Sequence, residues 1–231
     1  MTRPVLVLLP GLNNSRAVFD GVVAALDPGI EALALDLPPL DSVDMLADHV
    51  LAAIPRRFHL CGFSFGGYVA LAMLARAPER LAGLALVGSL PGADGEPARA
   101  NRTRAIAAAE SGGYEAMVEA NAAAAFHPDS LNDTAIMARR AAMVAAYGAE
   151  RFVAHSRAAM ARPDRTDLLA AYAGPVTMLA GDRDPLAPQE RMEALVGAGR
   201  THVVAGAGHL LPLEQPRTLA DLLSRWVLAT Y

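Results

Sequence analysis

Short, unbroken apolar runs alternate along the chain with longer stretches in which apolar residues recur every three or four positions. The runs occupy residues 5–9, 30–37, 58–61, 81–87, 176–180 and 202–205, and a glycine or proline follows each. A run of this kind, with no polar alternation, reads as a strand buried on both faces. The stretches with helical period are residues 17–26, 42–54, 65–75, 188–196 and 215–228, and Ser42 is placed to cap the second. Regular strand–helix alternation predicts an α/β fold: a mostly parallel, twisted sheet of about six strands flanked by helices.

The alternation stops between residues 91 and 170. This alanine-rich stretch carries only helical patterning, broken at Gly112-Gly113, Pro128 and Pro163. The chain therefore divides into a core of residues 1–90 and 171–231 and an all-helical insertion of residues 91–170. The insertion falls between two strands, on the side where open parallel sheets bind ligands. It reads as a cap over a site there, with an extra packing layer as the alternative.

Composition narrows the chemistry. The 231 residues are 53% hydrophobic and 19% charged, enough to build a core without disulfides or metal. All 20 basic residues other than histidine are arginines. The absence of lysine excludes a phosphate-loop lysine, a Schiff-base lysine and a Ser–Lys dyad. A net charge of −4 leaves no footprint for nucleic acid. Cys61, the only cysteine, permits no intrachain disulfide and no multi-cysteine metal site, and its place in an apolar run predicts a buried, inert thiol. The opening stretch meets Pro10 too early for a signal peptide. Residues 62–75 form the longest bulky apolar run and fall short of the roughly 18–20 residues that span a bilayer. These features predict a cytoplasmic protein with no nucleic-acid or membrane partner.

The chemistry concentrates in Gly62-Phe63-Ser64-Phe65-Gly66-Gly67, which joins a strand to a helix. Gly-x-Ser-x-Gly in that context is the nucleophile elbow, a sharp turn that lifts a serine hydroxyl off the sheet above a helix amino terminus. Serine is a weak nucleophile and needs a base. His209, in the glycine-rich loop after the last predicted strand, is the candidate. His49, His59, His127, His155 and His202 lie in patterned segments or the insertion and read as structural. The base needs an orienting carboxylate. Asp182 and Asp184 both follow the strand at 176–180, and Asp184 is favoured. The oxyanion-hole donors are the backbone N–H groups of Phe65, which follows the nucleophile, and of Leu12, in the loop after the first strand.

With these residues in place, the chain resembles the α/β-hydrolase superfamily, most closely its small capped bacterial esterases, enol-lactonases and carbon–carbon bond hydrolases. The resemblance rests on Leu9-Pro10-Gly11-Leu12, Asp36-Leu37-Pro38, the elbow through Tyr68, Gly181-Asp182-Arg183-Asp184, and Gly208-His209 through Pro216. It implies the α/β-hydrolase fold and the order Ser64, Asp184, His209, and it supports Asp184 as the acid. Pro10 stands where such proteins usually carry histidine. Residues 38–42 lack their Gly-x-Gly-x-Ser loop.

The implied chemistry is hydrolysis of a small carboxylic ester, lactone or thioester through an acyl-enzyme on Ser64. It takes a small-molecule substrate and calls for no cofactor or metal. Carbon–carbon bond hydrolysis, other triad chemistry, and a hydrolase-fold ligand sensor with little turnover are the alternatives. Asn13, Met117, Phe126, Met143 and Leu210 are the candidate pocket walls. Helical spacing makes core packing the competing role for the methionines of the insertion, Met137 and Met160 included. The arginines of the insertion, such as Arg139-Arg140, read as a solvated face, with binding of a substrate carboxylate as the alternative, and the apolar lining suits a small uncharged or weakly polar ester.

Overall fold

The computed structural model describes residues 3–54 and 57–231. Met1 and Thr2, in the opening searched for a signal peptide, lie outside the described residues, as do Pro55 and Arg56. In chain order the elements are β1 (Val5–Leu9), α1 (Asp20–Ala25), β2 (Glu31–Ala34), α2 (Val43–Ala53), β3 (Phe58–Phe63), α3 (Phe65–Arg76) and β4 (Leu81–Val87). Then come α4 (Glu96–Glu110), α5 (Tyr114–Ala120), α6 (Ala122–Ala125), α7 (Thr134–Ala161) and α8 (Thr166–Ala171). The chain finishes with β5 (Val176–Gly181), α9 (Gln189–Val196), β6 (Thr201–Val204), α10 (Leu211–Glu214) and α11 (Pro216–Thr230).

The six described strands form one sheet in the order β2-β1-β3-β4-β5-β6. Every pairing is parallel, with Leu8 opposite Cys61, Leu60 opposite Leu84 and Leu86 opposite Met178. Parallel strands need crossovers, and the helices of these crossovers cover both faces. Alternate residues therefore feed two cores. Val7, Leu9, Leu60, Leu84 and Leu86 pack with α2 and α3 residues on one face. Leu6, Leu8, Cys61, Phe63 and Val87 pack with α1 and α11 residues on the other. Burial on both sides is why these runs show no polar alternation.

The edges depart from the sequence reading. Only residues 31–34 of the run at 30–37 pair as strand, because β2 has one neighbour, β1. The pattern at 17–26 splits in two. A 3-10 turn at Arg16–Phe19, capped by the Ser15 side chain, precedes α1. At α2 the predicted cap is present: the Ser42 hydroxyl accepts from the Asp44 and Met45 N–H groups.

Between β4 and β5 the described residues contain helices and no strand. Helices α4, α5 and α7 share a small core that includes Tyr114, Val118, Tyr147 and Phe152. Helix α7 is kinked at Gly148, whose φ of 76° and ψ of 161° lie outside helical space. Among the described residues no helix is long and apolar enough to cross a membrane.

Candidate active site

The site sits at the carboxyl ends of β1, β3, β4, β5 and β6. Between β3 and α3 the chain turns on Ser64, held at φ 52° and ψ −116°. A non-glycine residue tolerates such a backbone only where its surroundings over-determine it. Here the Ser64 N–H donates to the Val87 carbonyl at 2.8 Å, and its own carbonyl accepts from Gly67 at 2.9 Å. The turn also needs space. A Cβ on Gly62 would sit 2.5 Å from the Gly66 carbonyl oxygen, and one on Gly66 would strike the Leu9 carbonyl. That is the physical reason for Gly-x-Ser-x-Gly at this junction.

The turn aims the Ser64 hydroxyl at His209, with Oγ 2.8 Å from Nε2. The other ring nitrogen, Nδ1, lies 3.0 Å from Asp184 Oδ2. Since a carboxylate only accepts, Nδ1 carries the proton and Nε2 is left to accept from the serine. The Asp184 side chain is 1% exposed and that of His209 11%. Burial alone would raise the Asp184 carboxyl. The bond and charge of His209 and the Leu186 and Ala187 N–H groups outweigh that and hold it below its ordinary value. Asp182, the other candidate, is exposed and accepts from the Ala207 N–H instead.

Two further contacts fix the histidine loop. The His209 N–H donates to the Ala125 carbonyl at 2.8 Å. Buried Glu214 accepts from the Gly208 and His127 N–H groups at 3.0 and 2.7 Å. Glu214 was not singled out in the sequence, although it lies in the stretch following His209.

On the opposite side of Ser64 runs the loop after β1. Gly11 lies so close that a Cβ there would be 3.0 Å from the serine Cβ. The loop turns through Asn13 at φ 61°. The Asn14 side chain donates to the Leu12 carbonyl at 2.6 Å, and Tyr114 donates its hydroxyl to Asn13 Oδ1 at 3.0 Å. Among the described residues no turn or loop carbonyl takes the Leu12 or Phe65 N–H. Both candidate oxyanion donors therefore flank the serine without such a partner.

His155 lies near this centre. Its ring stacks on Phe65, with centroids 4.7 Å apart and planes inclined by 21°. Its Nε2 is 2.7 Å from the Pro38 carbonyl, and its Nδ1 is 2.5 Å from the Tyr147 hydroxyl. Nε2 donates, so Nδ1 accepts the tyrosine proton. Burial lowers this histidine to about 4 and keeps it neutral.

A cavity of about 310 Å³ adjoins Ser64 and His209. Of the candidate walls, Asn13, Met117 and Leu210 line it, together with Tyr68, Phe152 and Arg102. Phe126 and Met143 do not. They are buried beside Ala207 and Leu211 in the core under the histidine loop. Arg140 departs from its expected solvated face. It is buried, lines the cavity, bonds the Val118 carbonyl and Glu119, and lies over the Phe126 ring. Cys61 is fully buried, which pushes its thiol up to about 12. Among the described residues no group of three or more His, Cys, Asp or Glu side chains is arranged to hold a metal ion.

Residues 6–222 match the model of the alpha/beta hydrolase family. A pimeloyl-[acyl-carrier protein] methyl ester esterase of Nitrosomonas europaea is 38% identical over 96 residues, spanning 38% of this chain and 38% of that protein. The chain thus matches this relative over well under half of its length. A 2-succinyl-6-hydroxy-2,4-cyclohexadiene-1-carboxylate synthase of an Enterobacter species is 27% identical over 243 residues, covering 96% of this chain and 91% of that protein. Among solved structures, a thermophilic esterase from Thermogutta terrifontis, with malate bound, superposes with a TM-score of 0.91. It is 26% identical and covers 99% of this chain and 90% of its own. With its parallel sheet and its serine turn between β3 and α3, the chain belongs to the alpha/beta hydrolase family.

Proposed function

We propose that this protein is a serine hydrolase of small carboxylic esters, and that Ser64, His209 and Asp184 are its catalytic residues. One observation carries the reading: a continuous line of hydrogen bonds from Asp184 through His209 to a serine held in a strained turn. As the ester carbonyl arrives, the Ser64 Oγ–carbon bond forms and the hydroxyl proton moves to His209 Nε2. Asp184 keeps the ring oriented and stabilises its cation. The Leu12 and Phe65 N–H groups receive the oxyanion. The carbon–oxygen bond to the alcohol then breaks, and the alcohol leaves with the proton from His209. Water repeats the sequence on the acyl-enzyme and frees the acid. His209 accepts the serine proton only in its neutral form, through Nε2. The helices between β4 and β5 cap the site: α5 and α7 supply Met117, Val118, Arg140 and Phe152 to its walls.

The test is hydrolysis of p-nitrophenyl esters from acetate to octanoate by wild type and Ser64→Ala. Turnover by wild type that is lost in a folded Ser64→Ala establishes the reading. Absence of both turnover and a stoichiometric burst overturns it. The near full-length likeness to a carboxylate synthase favours a second reading, in which the same three residues act on a non-ester substrate. That reading predicts an intact, reagent-accessible Ser64 with no ester turnover.

A further inference from the structure

The cavity beside Ser64 carries a charge pattern that acyl transfer does not use. It continues into an open depression of about 820 Å³, and the two share Arg102, Ala105, Met117 and Phe152 along their boundary. Three arginines line this combined space, Arg102, Arg104 and Arg140, and no Asp or Glu does. The whole chain is acidic, at −4, so the positive lining is local to the site.

The three arginines are not equivalent. Arg140 is committed to Glu119 and the Val118 carbonyl. Arg104 is exposed and bonds Asn101. Arg102 faces both the cavity and the depression, and its Nε donates to Asp94 Oδ2 at 2.6 Å. Its two terminal nitrogens make no hydrogen bond to another described residue.

Asp94 does not neutralise Arg102 alone. Its other oxygen accepts from Arg162 Nη1 at 2.6 Å, and its side chain is 5% exposed. Arg162 lies 3.8 Å over the Tyr68 ring and also donates to the Gly92 and Ala159 carbonyls. Two guanidinium groups thus share one buried carboxylate. Asp164 lies close enough to act on Arg162 as well, so Arg102 is the member of the pair with free donors, at its outer edge. A half-buried guanidinium fork is the geometry that takes a carboxylate or phosphate through paired, charge-assisted hydrogen bonds.

We infer that the site selects esters whose far end carries an oxyanion, bound by the terminal nitrogens of Arg102. The inference rests on Ser64 as the acyl-transfer nucleophile, and it replaces the expectation of an uncharged or weakly polar substrate.

The test compares p-nitrophenyl hydrogen glutarate with its methyl-capped, neutral counterpart. A p-nitrophenyl phosphonobutyrate serves as the phosphate-like arm. Wild type is expected to favour an anionic ester by about tenfold or more in kcat/KM at low salt, with the preference shrinking as salt is added. Whichever anionic arm is preferred identifies the group. Arg102→Gln should bring the ratio of anionic to neutral ester close to one, while Arg102→Lys should keep part of it. A thermal melt checks that both variants fold.

Binding of monomethyl glutarate to Ser64→Ala, followed by calorimetry, needs no turnover. It should disappear when Arg102→Gln is added. Equal use of charged and neutral esters by wild type, or a ratio unchanged in Arg102→Gln, overturns the inference and leaves the hydrolase reading standing. Arg102-dependent binding without turnover of any ester keeps the anion site and overturns the hydrolase reading.

Discussion

Asp184 shows how one side chain sets the state of another. Its Oδ2 accepts from His209 Nδ1 and its Oδ1 accepts from the Leu186 N–H at 2.8 Å, so the carboxylate is fixed from two sides. An asparagine would fit the same space but offers an N–H as readily as an oxygen. With the N–H turned toward His209, the proton moves to Nε2, and Nε2 then has no lone pair to accept from Ser64. Asp184→Asn should therefore fold normally and lose kcat by a factor on the order of 10³–10⁴, with KM little changed. Steady-state kinetics beside a thermal melt checks this. A loss under about tenfold would remove Asp184 from the role. Asp182→Asn changes a side chain that accepts from the Ala207 N–H and not from His209, and it serves as the contrast.

At the scale of elements, the kink in α7 decides what the insertion can contribute. In a straight helix Tyr147 and His155, eight residues apart, are separated by about 12 Å along the axis, at roughly 1.5 Å per residue. In this chain their side chains meet because Gly148 breaks the helical path between them. The break lets one helix present Tyr147 beside Tyr114 over the β1 loop and His155 against Phe65. The φ of 76° with ψ of 161° at Gly148 is a conformation that essentially only glycine adopts, although a Cβ there would touch nothing within 4 Å. Gly148→Ala should thus destabilise by roughly 1–3 kcal/mol despite alanine's better helix propensity. Denaturant unfolding reads this out, and a stabilised variant would show that the kink is not required. The same helix shows why parts of the site were hard to read from sequence. Ser64, Asp184 and His209 each sit in a short turn after an apolar run, where glycine spacing and residue type already carry the chemistry. Arg140 occupies the apolar stripe of Ile136, Met143, Val144 and Tyr147, so its burial had a visible signal in that spacing. The surroundings of His155 and Phe126 had none, because they depend on how the insertion docks against the β1 loop and the histidine loop. The strands most legible in sequence, β1 and β4, are flanked on both sides in the sheet. The run at 30–37 overreached because an edge strand pairs only as far as its single neighbour allows.

For the whole molecule, two buried histidines couple folding to pH. His59 packs edge-on against Trp226 at 5.3 Å and bonds Thr230 at the foot of the sheet. His155 lies against Phe65 at the other end. Burial first, then the charge of Arg57, lowers His59 to about 4, and burial lowers His155 to about 4. Both residues are 1% exposed. In the unfolded chain each takes a proton near pH 6.5. Between pH 6.5 and about 4 the unfolded state therefore binds more protons than the folded state, and stability falls as pH falls. Each histidine removes up to roughly 3 kcal/mol across that window. His202, lowered by partial burial, acts in the same direction. Glu214 opposes them. Burial raises its carboxyl, so the folded state takes that proton first and gains stability on acidification. Asp94, Asp164 and Asp184, all held below their ordinary value, enter only at still lower pH, where their protonation removes further stability. Unfolding at pH 5.5, followed by calorimetry in buffers of different ionisation enthalpy, should show uptake of between about one and two protons. His59→Gln should remove close to one of them, since that ring contacts Thr230 and Trp226, away from Ser64 and His209. Stability that stays flat from pH 6.5 to 4.5 would mean that neither ring is held neutral by the fold.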